Sequence, residues 1–264
     1  MKVYETGNIR NIVVMGHGGC GKTTLVEAIA YQTGITARMG KVTDGNTISD
    51  YDKEEQKRQF SISTSVVPVE FEDIKINFLD TPGYFDFVGE VEEACHAAGA
   101  AVIVINGKSG VEVGTLKAWE LCEKYKLPRL FFVTGMDDDQ ASYRKIVLEL
   151  NDRFGRKVAP FHVPIRENEK FVGFVNVVKM KGRRFINDTS EYEECDIPDY
   201  MDKHLNISRD ALVEAVADTS EELMERYFAG EEFTYEEVST ALRTHVMDCQ
   251  IVPVLVGSGV HNQG

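Results

Sequence analysis

The 264-residue sequence has no repeat, no low-complexity segment and no apolar run long enough to cross a bilayer. Its longest apolar stretches, such as Ala97 to Ile105 with Gly99 inside it, fall well short of the ~20 residues a membrane span needs. The opening residues, MKVYETGNIRN, contain no apolar segment of signal-peptide length, so a cytoplasmic location without a membrane partner is expected. Cysteine is sparse and odd in number. Cys20, Cys95, Cys122, Cys195 and Cys249 lie at least 27 residues apart, which argues against a disulfide framework or a zinc knuckle and leaves reduced, mostly buried thiols. Positive charge is also short: 29 Lys and Arg stand against 43 Asp and Glu, a net charge of −14. The field of the whole chain therefore cannot hold nucleic acid, and direct binding to duplex DNA is not expected.

What is present matches ordinary globular usage, with 43% hydrophobic and 27% charged residues, enough for one large domain or two small ones. From Asn11 to about Pro164, short β-branched runs alternate with amphipathic stretches, the pattern of an α/β domain with a mostly parallel sheet and helices on both faces. Strands are expected at Ile12–Met15, Ser65–Glu70, Ile74–Leu79, Ala101–Asn106, Leu130–Val133 and Ala159–Val163. Helices are expected near Lys22–Gln32, Val88–Ala98, Val113–Tyr125 and Ser142–Phe154. Between Gly34 and Ser63 the chain is polar and weakly periodic, and a loop of that length reads as mobile and functional.

After Ile165 the pattern changes to a strand pair, Phe171–Val178 and Arg183–Ile186, followed by helical stretches at Ser208–Ala217, Glu221–Phe228 and Thr234–Met247. Ser208, Ser220 and Thr234 mark the starts of these helices, and only Thr234, with Glu237 three residues on, completes a capping box. An α+β inserted subdomain over 166–248 is expected between a core at 1–165 and a return strand and loop at 249–264, the strand itself at Ile251–Val256.

The apolar strand IVVM is followed by Gly16-His17-Gly18-Gly19-Cys20-Gly21-Lys22-Thr23-Thr24, a full match to G-x-x-x-x-G-K-[ST], and then by a helix. Such a loop wraps a polyphosphate with its backbone N–H groups. Lys22 supplies a point charge toward the terminal phosphates, and the Thr23 hydroxyl can ligate Mg²⁺. A second string, Asp80-Thr81-Pro82-Gly83, ends the strand Ile74–Leu79. There Asp80 can hold Mg²⁺ through a water and the Gly83 N–H can meet a terminal phosphate.

The ordered set GHGGCGKTT, DYDKEEQKRQFSIS, DTPGYFDF, TGMD and GSGVHNQG resembles the nucleotide-binding domain of translational GTPases, most closely bacterial elongation factor G and its paralogues. The stretches VPI, FVGFVNVVKMK and EELMERYFAGEE are similar to that factor's insert. The resemblance implies a P-loop GTPase core, GTP or GDP with Mg²⁺, GTP hydrolysis, and the ribosome as partner. It places phosphate and Mg²⁺ contacts on Gly18, Gly19, Cys20, Gly21, Lys22, Thr23, Thr24, Asp80 and Gly83. Ser61 stands where the family has a Thr that meets Mg²⁺ in the GTP state.

Base recognition falls on Thr134 and Asp137, in Thr134-Gly135-Met136-Asp137 where the family has Asn-Lys-x-Asp, and on Ser258 and Gly259, where it has Ser-Ala. Asp137 can accept from the guanine ring N–H and amine. Gly19 replaces a family Asp. Tyr84 replaces the His that orients the attacking water, so intrinsic hydrolysis is expected to be slow, with Tyr84, Lys22 and His17 as candidate catalytic groups. A solvated role is expected for Arg58 among its charged neighbours, and a core position for Trp119.

Two alternatives stay open on the residues. One is a GTP-binding switch or scaffold with little hydrolysis. The other is a deviant P-loop ATPase, since GGCGKTT resembles the loop of partitioning ATPases, although His17 stands where those have Lys. By the resemblance the chain reads as the amino-terminal piece of a longer factor, with the last helix of its core missing and an apolar face left uncovered.

Overall fold

The computed structural model describes residues 2–186 and 190–264. Along the chain lie β1 (Ile9–Gly16), α1 (Lys22–Gln32), α2 (Lys53–Arg58), β2 (Ser65–Phe71), β3 (Ile74–Asp80), α3 (Val88–Ala97), β4 (Ala100–Asn106), α4 (Val113–Tyr125), β5 (Arg129–Thr134) and α5 (Tyr143–Phe154). Then follow β6 (Val158–Pro160), β7 (His162–Glu167), β8 (Lys170–Asn176), β9 (Lys181–Phe185), β10 (Tyr192–Cys195), α6 (Asp202–Ala217), α7 (Glu221–Phe228), α8 (Tyr235–Met247) and β11 (Val252–Val256).

Seven strands form one sheet in the order β2-β3-β1-β4-β5-β11-β6, parallel except for the β2–β3 hairpin at its edge. Successive side chains on a strand point to opposite faces, and β1 shows the result: Val13 and Met15 join the large core under α3, α4 and α5, whereas Val14 joins the smaller core under α1. Helices thus cover both faces, as a buried parallel sheet requires. The phosphate loop leaves the carboxyl end of β1, where ligands of open parallel sheets bind.

A second, antiparallel sheet has the order β10-β9-β8-β7. The expected single strand Ala159–Val163 is corrected here. The chain turns at Phe161, so that Val158–Pro160 closes the edge of the main sheet while His162–Glu167 opens the second one. A continuous apolar run cannot reveal which sheet each half joins. Ser208 is likewise no helix start: α6 begins at Asp202, and Ser208 is buried inside it. Ser220 and Thr234 do cap α7 and α8, and Thr234 with Glu237 forms the full capping box.

The segment between Gly34 and Ser63 is more ordered than its polarity suggests. Asp52 caps α2 by accepting from the Glu54 N–H at 2.7 Å, and Glu55 accepts from the Ile62 and Ser63 N–H groups at 2.8 and 3.1 Å. Glu27, buried on α1, accepts from the Gly40 and Ile48 N–H groups, both at 2.7 Å. Two buried carboxylates therefore supply the backbone partners that a loop without sheet or helix neighbours lacks. Trp119, expected in the core, is half-buried at its margin, where it stacks on Phe131 and Phe154 with ring centroids 5.7 and 4.1 Å away. All five cysteines are free thiols, three of them buried. Among the described residues no helix is long and apolar enough to cross a membrane.

Candidate nucleotide site

A cleft of about 240 Å³ opens between the phosphate loop and the segment that carries α2, lined among others by Gly18, Lys22, Thr23, Asp50, Ser61 and Tyr84. Its floor is the start of α1. Gly21 caps that helix at φ +97°, a left-handed conformation that costs glycine little, and leaves the first N–H groups of the helix facing the cleft. Those groups and the helix dipole favour an anion. The Lys22 ammonium, buried, donates to the Gly16 and His17 carbonyls at 3.2 and 3.0 Å. Gly83 passes so close that a Cβ there would sit 2.4 Å from Lys22 Nζ and 2.7 Å from Gly18 Cα, so no larger residue fits between the two loops.

Beside Lys22 the acidic and hydroxyl groups converge. Thr23 Oγ1 and Ser61 Oγ are 3.2 Å apart, and the Ser61 hydroxyl donates to Asp50 Oδ1 at 2.7 Å. Asp80 is 1% exposed, and neither carboxylate oxygen has a hydrogen-bond partner of normal geometry. Burial pushes its carboxyl up to about 6, an effect that the nearby Ser49 and Thr23 hydroxyls and the Lys22 ammonium offset only in part. Burial also raises Asp50. A buried, unsatisfied carboxylate is costly and calls for an explanation, and a hydrated cation would provide one.

Asp50 stands first in the string DYDKEEQKRQFSIS without a role assigned to it, and Glu27 lies outside the motifs. A glutamate inside the apolar stretch of α1 was a visible signal, whereas Asp50 sits in a polar stretch where no periodicity singles it out.

Tyr84 is half-exposed at the mouth of the cleft. Its ring lies against Gly18 and meets Phe60 edge-on, centroids 4.8 Å apart. His17 is turned elsewhere: its Nδ1 accepts from the Gly114 N–H at 3.3 Å and its Nε2 lies 3.5 Å from Glu112, so the imidazole ties the loop to the start of α4. Arg58 pairs with Glu54 on exposed α2 at 3.1 Å, as expected of a solvated cation.

On the other side of the phosphate loop, the Thr134 hydroxyl donates to the Cys20 carbonyl at 2.7 Å and thus fastens the end of β5 to that loop. Asp137 lies in the turn that follows, 3.8 Å from His261 Nε2. Ser258 and Gln263 pair as an isolated bridge, Gly259 packs on Thr24, and the Met136 N–H donates to the Gly257 carbonyl. The two loops expected to read the base are therefore in contact, both seated on the phosphate loop and α1.

Residues 7–264 match the family model described as the elongation factor Tu GTP binding domain. The chain belongs to that family. This member carries a GTP-binding domain, and the motif resemblance to translational GTPases holds, as does the fold of a P-loop GTPase core with an antiparallel subdomain. Membership also sets aside the partitioning-ATPase alternative. A protein of Thermus thermophilus, known from its crystal structure, is similar at 36% identity with a TM-score of 0.88. The match covers 97% of this chain and 38% of that protein, so the chain spans well under half the length of that relative.

Proposed function

We propose that the chain is the nucleotide-binding domain of an elongation factor G-like GTPase that hydrolyses GTP to GDP and phosphate on ribosomes in the cytoplasm, and does so slowly by itself. One observation carries the reading: the orphaned Asp80 carboxylate faces the Thr23–Ser61–Asp50 hydroxyl and carboxylate chain beside Lys22 and a helix N-terminus. That set suits a triphosphate with Mg²⁺, the hydroxyls of Thr23 and Ser61 as direct ligands and Asp80 and Asp50 through water. The Thr23 and Ser61 hydroxyls, 3.2 Å apart, are near enough to share one cation. Held there, Mg²⁺ would supply positive charge against the charge that develops on the phosphate oxygens.

In this reading an arriving phosphate draws Lys22 from the Gly16 and His17 carbonyls. The N–H groups of Gly18 to Thr24 wrap the phosphates, and the Gly83 N–H meets the terminal one. Asp137 accepts from the guanine ring N–H and amine, and Ser258 and Gly259 back the base. Catalysis then depends on holding a water in line. Tyr84 has a hydroxyl at the mouth of the cleft, but a phenol with a reference pKa of about 10 is a poor base at neutral pH and brings no positive charge. The placement of His17 against Glu112 and Gly114 supports a loop-positioning role over a catalytic one.

The packing of Tyr84 on Phe60 and Gly18 also favours a second reading, a GTP-held switch that hydrolyses little. Single-turnover GTP hydrolysis with and without ribosomes separates the two. Stimulation by ribosomes supports the GTPase; nucleotide-dependent ribosome binding without stimulation supports the switch.

A further inference from the structure

The loop expected to read guanine is gripped from behind by a residue of the second sheet. The turn around Asp137 is held internally by the Asp138 N–H donating to the Gly135 carbonyl and the Ala141 N–H to the Asp138 carbonyl, both at 3.1 Å. Arg166, on β7, reaches across to this turn. Its Nη1 donates to the Ala141 carbonyl at 2.7 Å, and its Nη2 donates to the Asp138 carbonyl at 2.9 Å and the Glu169 carbonyl at 2.5 Å. The β7–β8 ladder shifts register between Ile165 and Arg166, and such an irregularity re-aims a side chain. Asn168 and Glu169, at the turn of this hairpin, both have positive φ, 48° and 68°. The same guanidinium thus braces a turn that L residues adopt at some cost. The planar fork of donors on Arg suits several fixed carbonyls in a way that a single ammonium does not. The Tyr200 hydroxyl donates to the carbonyl of Arg166 at 3.1 Å, which extends the link to the segment that leads into α6.

We infer that Arg166 is a positioning residue for guanine recognition: through the Asp138 and Ala141 carbonyls it holds Asp137 in register with the base and couples the second sheet to nucleotide release. The inference rests on the reading of Asp137 as the acceptor for the guanine edge. It meets a need of this turn. Thr134 spends its hydroxyl on the Cys20 carbonyl and Gly135, at φ +66°, has no side chain, so neither ties the far side of the turn. Arg166 makes that tie from another sheet.

The test uses the full-length protein and four variants: Arg166→Ala, Arg166→Lys, Asp137→Asn, and Arg166→Ala with Asp137→Asn. Release of a fluorescent GDP is followed by stopped flow, and affinities for GDP, IDP and XDP are measured at equilibrium. IDP lacks the exocyclic amine that donates to Asp137, so a loosened carboxylate lowers the preference for GDP over IDP. Arg166→Ala is expected to speed GDP release roughly tenfold and lower that preference, while Arg166→Lys recovers part of both. In the Asp137→Asn background the same truncation is expected to change release less than twofold. Unchanged release and preference in Arg166→Ala would overturn the inference, as would an equal effect in both backgrounds, which would mark Arg166 as a brace of the subdomain alone. Asp137→Asn that still prefers GDP to XDP as the wild type does would remove the Asp137 reading, and the inference with it. A normal shift toward XDP beside an inert Arg166→Ala removes only the inference.

Discussion

The phosphate and base sides of the candidate site are built in different ways. The phosphate end is nearly continuous in sequence: the end of β1, the glycine loop and the first turn of α1 supply N–H groups, an ammonium and a hydroxyl within nine residues, Gly16 to Thr24. The base end is assembled from three remote pieces, the turn after β5, the Ser258–Gln263 bridge and Arg166 of the second sheet. Backbone groups dominate at the first and tertiary contacts at the second. On the proposed reading a local motif carries phosphate binding, while base recognition depends on distant elements that brace the loop.

The contrast predicts unequal losses. Lys22→Ala removes the one buried cation of the phosphate end and is expected to weaken GTP and GDP by roughly a hundredfold or more, measured by titration calorimetry. Retention of wild-type affinity would disprove the assignment of the phosphate end. Asp137→Asn is expected to lower GDP affinity by about a hundredfold and raise that for XDP, because the amide presents a donor where guanine also donates. If it weakened all nucleotides equally, the base end would be acting as a structural support only.

Asp80 sharpens the comparison through pH. Its folded pKa of about 6 lies above the unfolded reference near 3.9, so the native state binds more protons than the unfolded chain between these values. Stability of the Mg²⁺-free protein is therefore expected to fall as pH rises from about 4 through 6, by about 3 kcal/mol in total, with Asp50 acting in the same direction. Asp80→Asn is expected to flatten that profile in thermal melts and, at the same time, to weaken Mg²⁺-dependent nucleotide binding. A profile unchanged by the substitution would mean that Asp80 is not the group titrating. Tyr84→His is expected to raise ribosome-stimulated turnover several-fold up to about tenfold, read by single-turnover hydrolysis. A variant no faster than the wild type would show that another group orients the water. Arg58→Ala, at an exposed pair, is expected to change stability by less than about 0.5 kcal/mol in chemical unfolding.

Much of this molecule was legible in the sequence. The helices Lys22–Gln32, Val113–Tyr125 and Glu221–Phe228 run over the expected residues, because apolar periodicity and local caps act within a few residues of each other. The approach of Asp80 to Thr23 follows from the paired phosphate-loop and DTPG motifs, whereas Ser61 is named only by the family resemblance. Less legible were the places where one run serves two sheets, as at Phe161, or where a charged side chain is spent on remote backbone, as with buried Glu27 and half-buried Arg166. Composition and spacing carry no record of which carbonyl or N–H a side chain will meet across tens of residues.

By itself the sequence determined the alternation of strands and helices, the phosphate loop and its lysine, the DTPG turn and the acidic balance of charge, since each depends on residue type and short spacing. Only the tertiary structure decided that His17 faces Glu112 while Tyr84 overlies the loop, that Asp50 joins Ser61 and Thr23, and that Arg166 holds the turn around Asp137. Those outcomes depend on how the sheets and loops pack, because hydrogen bonds and burial are satisfied by whichever groups the fold brings within reach.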